Sequence, residues 1–262
     1  MSVLSSISKP ADRPIIATIF GNAGMGKTTL AVTFPDPIVI RAEDGLQAIP
    51  ANMRPDAFPL LTNVDDLWDQ LKGLINEPHE YKTLIVDSVT ALERMFAQHV
   101  VDNDPKKPKG IQQALGGYGA GRDAVAAMHA RLRKAAGLLA DKRGMHTVFI
   151  AHSEIGNENP PDDEAFSKWG LRLHIKSEPS YVDDVDLVGY LKLETFTTGE
   201  GDKKKAISDG TRVLICHASA ANVSKNRFGI SEQLQVELGV NPLVEYVPAL
   251  RANLNKKEKA NG

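Results

Sequence analysis

The chain has 262 residues, of which 42% are hydrophobic, 24% charged and 6% aromatic. Its 31 basic and 33 acidic side chains leave a net charge of -2, which argues against a protein that coats nucleic acid over its whole surface and leaves room for a local basic site. A single cysteine, Cys216, excludes a disulfide framework and a four-cysteine zinc site, and fits a reducing compartment.

No apolar run approaches the roughly 18 residues needed to cross a bilayer, and residues 1–14 lack the apolar stretch of a secretory signal. These features read as a soluble, cytoplasmic protein with no membrane partner. Residues 1–13 form a lead-in marked by Pro10. Residues 15–20, Ile-Ile-Ala-Thr-Ile-Phe, are a β-branched apolar run bounded by Gly21, the pattern of a strand buried on both faces. Similar runs at 37–40, 83–86 and 147–151 lead to Arg41, Asp87 and His152. Helical patterns at 27–34, 64–76, 89–101 and 121–142 lie between them. Strands alternating with helices of this length predict parallel βαβ units. Beyond Val185, strand-like runs at 185–196 and 211–216 flank the polar stretch 198–205, so the sheet is expected to finish antiparallel around an exposed hairpin tip. The economical reading is one mixed α/β domain over 14–252, with 253–262, which holds Lys256, Lys257 and Lys259, as a disordered tail.

Gly21-Asn22-Ala23-Gly24-Met25-Gly26-Lys27-Thr28 matches G-x-x-x-x-G-K-[ST], after a predicted strand and at the opening of a predicted helix. Glycines let the backbone curl so that successive N–H groups face an anion, and a helix start adds positive potential. The segment from Gly21 to Thr29 is therefore the expected ATP site. Lys27 would reach the β- and γ-phosphates, and the Thr28 hydroxyl would ligate Mg²⁺. Asp87, ending an apolar strand, would hold that metal through a water; its simpler reading is a helix cap with Ser88. Since Ser88 follows Asp87 where a catalytic Glu would stand in many motors, the water-activating acid must come from elsewhere. Glu43 is the candidate, because it ends the next strand and so emerges at the same edge of a parallel sheet as Gly21 and Asp87; the alternative is a solvated loop acid beside Asp44.

The segments Ile38-Val39-Ile40-Arg41-Ala42-Glu43, Leu84-Ile85-Val86-Asp87-Ser88-Val89 and Val148-Phe149-Ile150-Ala151-His152 occur in the order seen in the RecA recombinase core, which the chain resembles over 14–235. The resemblance implies a RecA-like P-loop NTPase core, a mainly parallel twisted sheet flanked by helices with antiparallel strands at its C-terminal end. It implies hydrolysis of ATP to ADP and phosphate with Mg²⁺, stimulated by DNA. It gives Glu43 the activation of water, and gives His152, where the family commonly has Gln, the sensing of the γ-phosphate. Lys225 and Arg227, in Ser224-Lys225-Asn226-Arg227-Phe228-Gly229-Ile230, would approach the ATP of a neighbouring subunit. A homo-oligomer follows, ring or filament, with a shared ATP site. In size and in the segment Asp186-Leu187-Val188-Gly189-Tyr190-Leu191 the chain looks most like phage-encoded single-strand annealing ATPases. The implied partners are single-stranded DNA and, as an accessory, a single-strand-binding protein, in the cytoplasm of a bacterial host.

Two segments are candidates for the DNA. The first is 103–121, with Lys106, Lys107 and Lys109 before Tyr118 in a Gly-rich stretch that is also simply flexible. The second is 154–179, with Lys168, Trp169, Arg172 and Lys176. Apolar and basic residues alternate over 171–176, so an extended backbone would present Arg172, His174 and Lys176 on one face. That pattern also fits a half-buried strand, and Trp169 either stacks on a base or fills the core. Rival functions are a RecA-fold helicase or loader motor, a nucleotide kinase, and a regulatory ATPase whose loops bind protein.

Overall fold

The computed structural model describes residues 4, 7–9, 11–162, 164–198 and 205–251. β1 (Ile16–Gly21) is buried along its length. Ile16 and Phe20 enter one core while Ala17 and Ile19 enter another, because successive strand side chains face opposite sides. That double burial is why the strand reads as an unbroken apolar run. α1 (Lys27–Ala31) stops three residues short of the expected helix. Phe34 precedes Pro35, whose ring disfavours helical backbone before it, and the Thr33 hydroxyl donates to the Leu30 carbonyl at 2.6 Å.

β2 (Pro37–Arg41) and β3 (Asp56–Ala57) follow. α2 (Val64–Asn76) has its predicted bounds. The Asn63 side chain accepts from Asp66 N at 3.0 Å, the Asp66 carboxylate accepts from Asn63 N at 3.2 Å, and Leu67, Leu71 and Leu74 are buried. β4 (Thr83–Asp87), α3 (Val89–Asp102) and α4 (Ala120–Arg143) come next, the last closed by Gly144 at φ 64°.

β5 (His146–Glu158) runs seven residues past the predicted end. Its second half leaves the core and pairs antiparallel with β6 (Phe166–Leu171), from Ser153 opposite Leu171 to Glu158 opposite Phe166. The short α5 (Pro179–Val182) leads into β7 (Leu187–Leu193). β8 (Phe196–Thr198) and β9 (Lys205–Ile207) pair as a separate antiparallel ribbon. Of the predicted hairpin tip at 198–205, residues 199–204 lie outside the described residues, as does the predicted tail at 253–262. β10 (Arg212–Ile215), β11 (Lys225–Asn226) and β12 (Gln233–Val236) complete the chain.

The main sheet has the order β12-β10-β7-β1-β5-β4-β2-β3, with β11 on β7 and β6 on β5. From β7 to β3 the neighbours on this path are parallel, whereas β10, β11 and β12 pair antiparallel. This is the predicted mixed α/β class. One core lies under α2, α3 and α4, with Leu71, Leu92, Phe96 and Leu132 against Phe149. The other packs Leu30 and Phe34 with Ile85, Leu214, Leu234 and Leu243. Among the described residues no helix is long and apolar enough to cross a membrane.

Candidate active site

The register sets the site. Arg41, Asp87 and Ile150 are level across β2, β4 and β5, and Gly21 is level with His152 across β1 and β5. The carboxyl ends of these four strands therefore share one edge, where ligands bind in open α/β sheets.

The loop after β1 turns through Gly24 at φ 77° and Gly26 at φ 89°, conformations that a side chain disfavours. Gly21 is required for a different reason: a Cβ there would sit 2.2 Å from the Leu191 carbonyl oxygen of β7. Lys27 is buried, and its Nζ donates to the carbonyls of Gly21 at 3.0 Å and Asn22 at 2.9 Å. Burial lowers its pKa, against the opposing pull of Asp87 and Glu43. Beside the loop, Ser153 Oγ donates to Asn22 Oδ1 at 2.6 Å, so the middle of β5 touches the phosphate loop directly.

Thr28 Oγ1 donates to Asp87 Oδ2 at 2.8 Å. Burial raises the Asp87 pKa, while the Thr28 hydroxyl and Lys27 oppose the shift. The helix cap belongs to Ser88, whose Oγ accepts from Ala91 N at 3.2 Å, which leaves the Asp87 carboxylate facing Thr28. Two adjacent hard oxygens suit Mg²⁺, which takes few protein ligands and fills its octahedron with water and phosphate oxygens. Among the described residues no cluster of three or more His, Cys, Asp or Glu is placed to hold a metal ion.

Glu43 Oε1 lies 3.1 Å from His152 Nε2. That hydrogen bond, with help from the Ser88 hydroxyl and against burial, holds the Glu43 carboxyl at about 2. An ionised carboxylate only accepts, so Nε2 carries the hydrogen of this contact. Backbone ties support Glu43, since the amides of Ala42 and Glu43 both donate to the Asp87 carbonyl, at 2.7 and 3.2 Å. His152 N donates to Thr90 Oγ1 at 3.0 Å. Ala23, Gly24, Gly26, Lys27, Thr28 and Thr29 thus converge with Glu43, Asp87 and His152 on one cleft of about 430 Å³. Two residues at or beside this site escaped sequence reasoning. Ser153 follows His152 directly, and that adjacency was the available signal. Arg212 lines the same cleft from β10 and carried no local motif.

Lys225 and Arg227 lie elsewhere. Lys225 is opposite Val188 and Asn226 opposite Leu187, at the amino end of β7. Roughly 13 Å of strand, about four residues, separates that edge from the phosphate loop. Lys225 Nζ donates to the Asp183 carbonyl at 2.7 Å, and Arg227 is 3.6 Å from Asp186. Within one protomer they are not brought to the cleft.

The two DNA-candidate segments meet each other at Gly119, where a Cβ would be 3.3 Å from Lys176 Nζ. Lys176 pairs with Asp123 at 2.5 Å. Tyr118 is fully exposed, and Lys106, Lys107 and Lys109 are exposed. The extended reading of 171–176 is corrected. The strand ends at Leu171, Leu173 is buried, and the His174 carbonyl accepts from the amides of Ser177 and Glu178 in a turn that feeds Pro179 of α5. Arg172 remains exposed, and its charge is felt by Lys27. Trp169 packs half-buried on Tyr190, with ring centroids 5.7 Å apart, and Lys168 is 3.8 Å from Glu158.

A glycine loop that buries its lysine at the carboxyl edge of such a sheet defines a P-loop NTPase of RecA-like fold. Residues 13–228 match the family model AAA_24, described as an AAA domain, and the chain belongs to that family. It is also similar to the crystal structure of the RadB recombinase, with a TM-score of 0.50 at 12% identity over 87% of this chain and 90% of that one, a likeness of fold. No curated protein matches its sequence.

Proposed function

We propose that the chain is a Mg-ATP-dependent ATPase that binds single-stranded DNA and promotes annealing or homologous recombination, in the manner of the short phage-type RecA-like proteins. The observation that carries this reading is the Glu43–His152 contact at 3.1 Å, beside Lys27 and the Thr28–Asp87 pair in one cleft. Glu43 stays ionised near neutral pH and takes the proton of a water aimed at the γ-phosphate. Lys27 leaves its carbonyl partners for the β- and γ-phosphates. Thr28 and Asp87 hold Mg²⁺, which supplies charge neutralisation on the phosphate oxygens when bound. His152 reads the occupied site: its ring is on Glu43, and its carbonyl accepts from Arg172 N at 2.8 Å, at the root of the second DNA segment.

The ATPase domain spans 14–252. Lys225 and Arg227 are lent to the site of the next protomer in a homo-oligomer. DNA lies along Lys106, Lys107, Lys109, Tyr118, Arg172 and Lys176, with Lys168 nearby; the packing of Trp169 on Tyr190 favours a supporting role for that ring. ATP turnover measured across protein concentration, with and without single-stranded DNA, tests the reading. Turnover per protomer should rise with concentration and with DNA. Turnover that ignores both, and tracks an added nucleoside monophosphate, would favour a phosphotransferase.

A further inference from the structure

We propose that Arg212 is an in-protomer phosphate ligand, whose guanidinium binds the α- and β-phosphate oxygens of the nucleotide from the flank of the loop opposite the catalytic acid. The inference deepens the reading above and rests on the cleft being a nucleotide site.

Glu43, Asp87 and His152 come from β2, β4 and β5, all on one side of β1 in the strand order. The end of the triphosphate that is cut therefore faces that side. Arg212 opens β10, two strands away on the other side, and pairs with Leu193 at the carboxyl end of β7. Its side chain returns over the loop: a Cβ at Gly26 would stand 3.5 Å from Arg212 Nε and 3.7 Å from its Cδ. The guanidinium thus overlies the last glycine before Lys27, on the flank away from the acid.

Arg212 lines the main cleft and also a smaller one of about 200 Å³, which shares Gly26, Thr29 and Ala48 with it and is otherwise walled by Leu30, Pro50, Val236 and Leu238 together with Glu237. A cation at the junction of a polar, acid-lined cleft and a largely apolar one stands where the phosphates of a nucleotide give way to its nucleoside.

Among the described residues the Arg212 guanidinium has neither a hydrogen bond nor an ion pair. It is exposed, and the Arg94 and Arg172 guanidinia are likewise without such a partner among the described residues, but of the three Arg212 is the one that lines the cleft. The guanidinium fork presents donors in a plane that matches two phosphate oxygens. The α- and β-phosphates are present before and after hydrolysis, so the contact stabilises substrate and product alike and is uniform binding.

Calorimetry of Mg-ADP and Mg-GDP on the wild-type chain, Arg212→Ala and Arg212→Lys, together with ATP turnover, tests the proposal. Arg212→Ala should weaken both diphosphates by a similar factor of about tenfold or more, the loss expected for a charge-assisted hydrogen bond. Its kcat/KM for ATP should fall by that same factor, and Arg212→Lys should recover part of each. An unchanged diphosphate affinity in Arg212→Ala overturns the proposal, and with a reduced kcat/KM it moves the arginine to the γ-phosphate. A loss confined to one of the two bases also overturns it, because the guanidinium would then be stacking on the base. Wild-type protein that takes up no Mg-nucleotide would instead remove the nucleotide site itself.

Discussion

The two edges of the central sheet handle charge in opposite ways. At the carboxyl edge, Lys27 and Asp87 are buried, and Glu43 is fixed by His152 and Ser88. These three are each held by groups of the same protomer. At the amino edge, Asp186 is buried, while the cations around it, Arg13 and Arg227, are exposed. Buried charge is costly unless its partners are fixed in advance, so the first edge is preorganised. Exposed cations on a single acid are held weakly. The same sheet keeps one set of charges in place and leaves another weakly held.

That contrast can be broken, and the largest effect should come from the fixed edge. Glu43→Gln should retain Mg-ATP binding and slow hydrolysis by about 10²–10⁴-fold, the span of general base catalysis; stopped-flow binding alongside phosphate release separates the two. In the wild type, a Glu43 carboxyl held at about 2 keeps its base form as the pH falls well below neutrality, so loss of turnover between pH 7 and 5 must have another source.

A smaller effect is expected from the amino edge. Lys27→Ala and Arg227→Ala protomers should each be impaired alone, and mixing them should restore a fraction of turnover at interfaces where an intact phosphate loop meets an intact arginine. Well-formed mixed oligomers without any rescue would return Arg227 to its own protomer.

The smallest effect concerns stability. His146 opens β5 at the amino edge, its Nδ1 accepts from Ile15 N at 3.1 Å, and burial lowers its pKa to about 4. A histidine depressed in the folded state binds its proton more readily when unfolded. Its contribution is therefore full above about pH 6.5 and declines as the pH falls toward 4, by a few kcal/mol in all. Denaturant unfolding at pH 7 and pH 5 measures this, and His146→Asn, which keeps an acceptor, should flatten the dependence.

Much of this architecture was legible because it is local. The spacing of Leu67, Leu71 and Leu74 behind Asn63 marks α2, and the glycine loop marks itself. Glu43 was legible once the strands were taken as parallel, since a parallel sheet brings the ends of successive strands to one edge. What depended on tertiary partners was not. β5 continues to Glu158 only because β6 supplies hydrogen bonds, and nothing within 152–158 announces that strand. The alternation over 171–176 was a period-2 pattern overruled by the turn before Pro179, which buries Leu173 but leaves Ile175 exposed. Arg212 is one arginine in a predicted strand, and only the strand order carries it to Gly26.

The close approach at Gly21 has a consequence for tolerance to change. With the Leu191 oxygen 2.2 Å from where a methyl would go, alanine at 21 would act as a wedge in the seam between two neighbouring strands. The loop's opening residue is therefore answerable to the spacing of the scaffold beneath it. Any substitution that shifted the Leu191 backbone would be felt at the mouth of the loop without touching a single loop side chain.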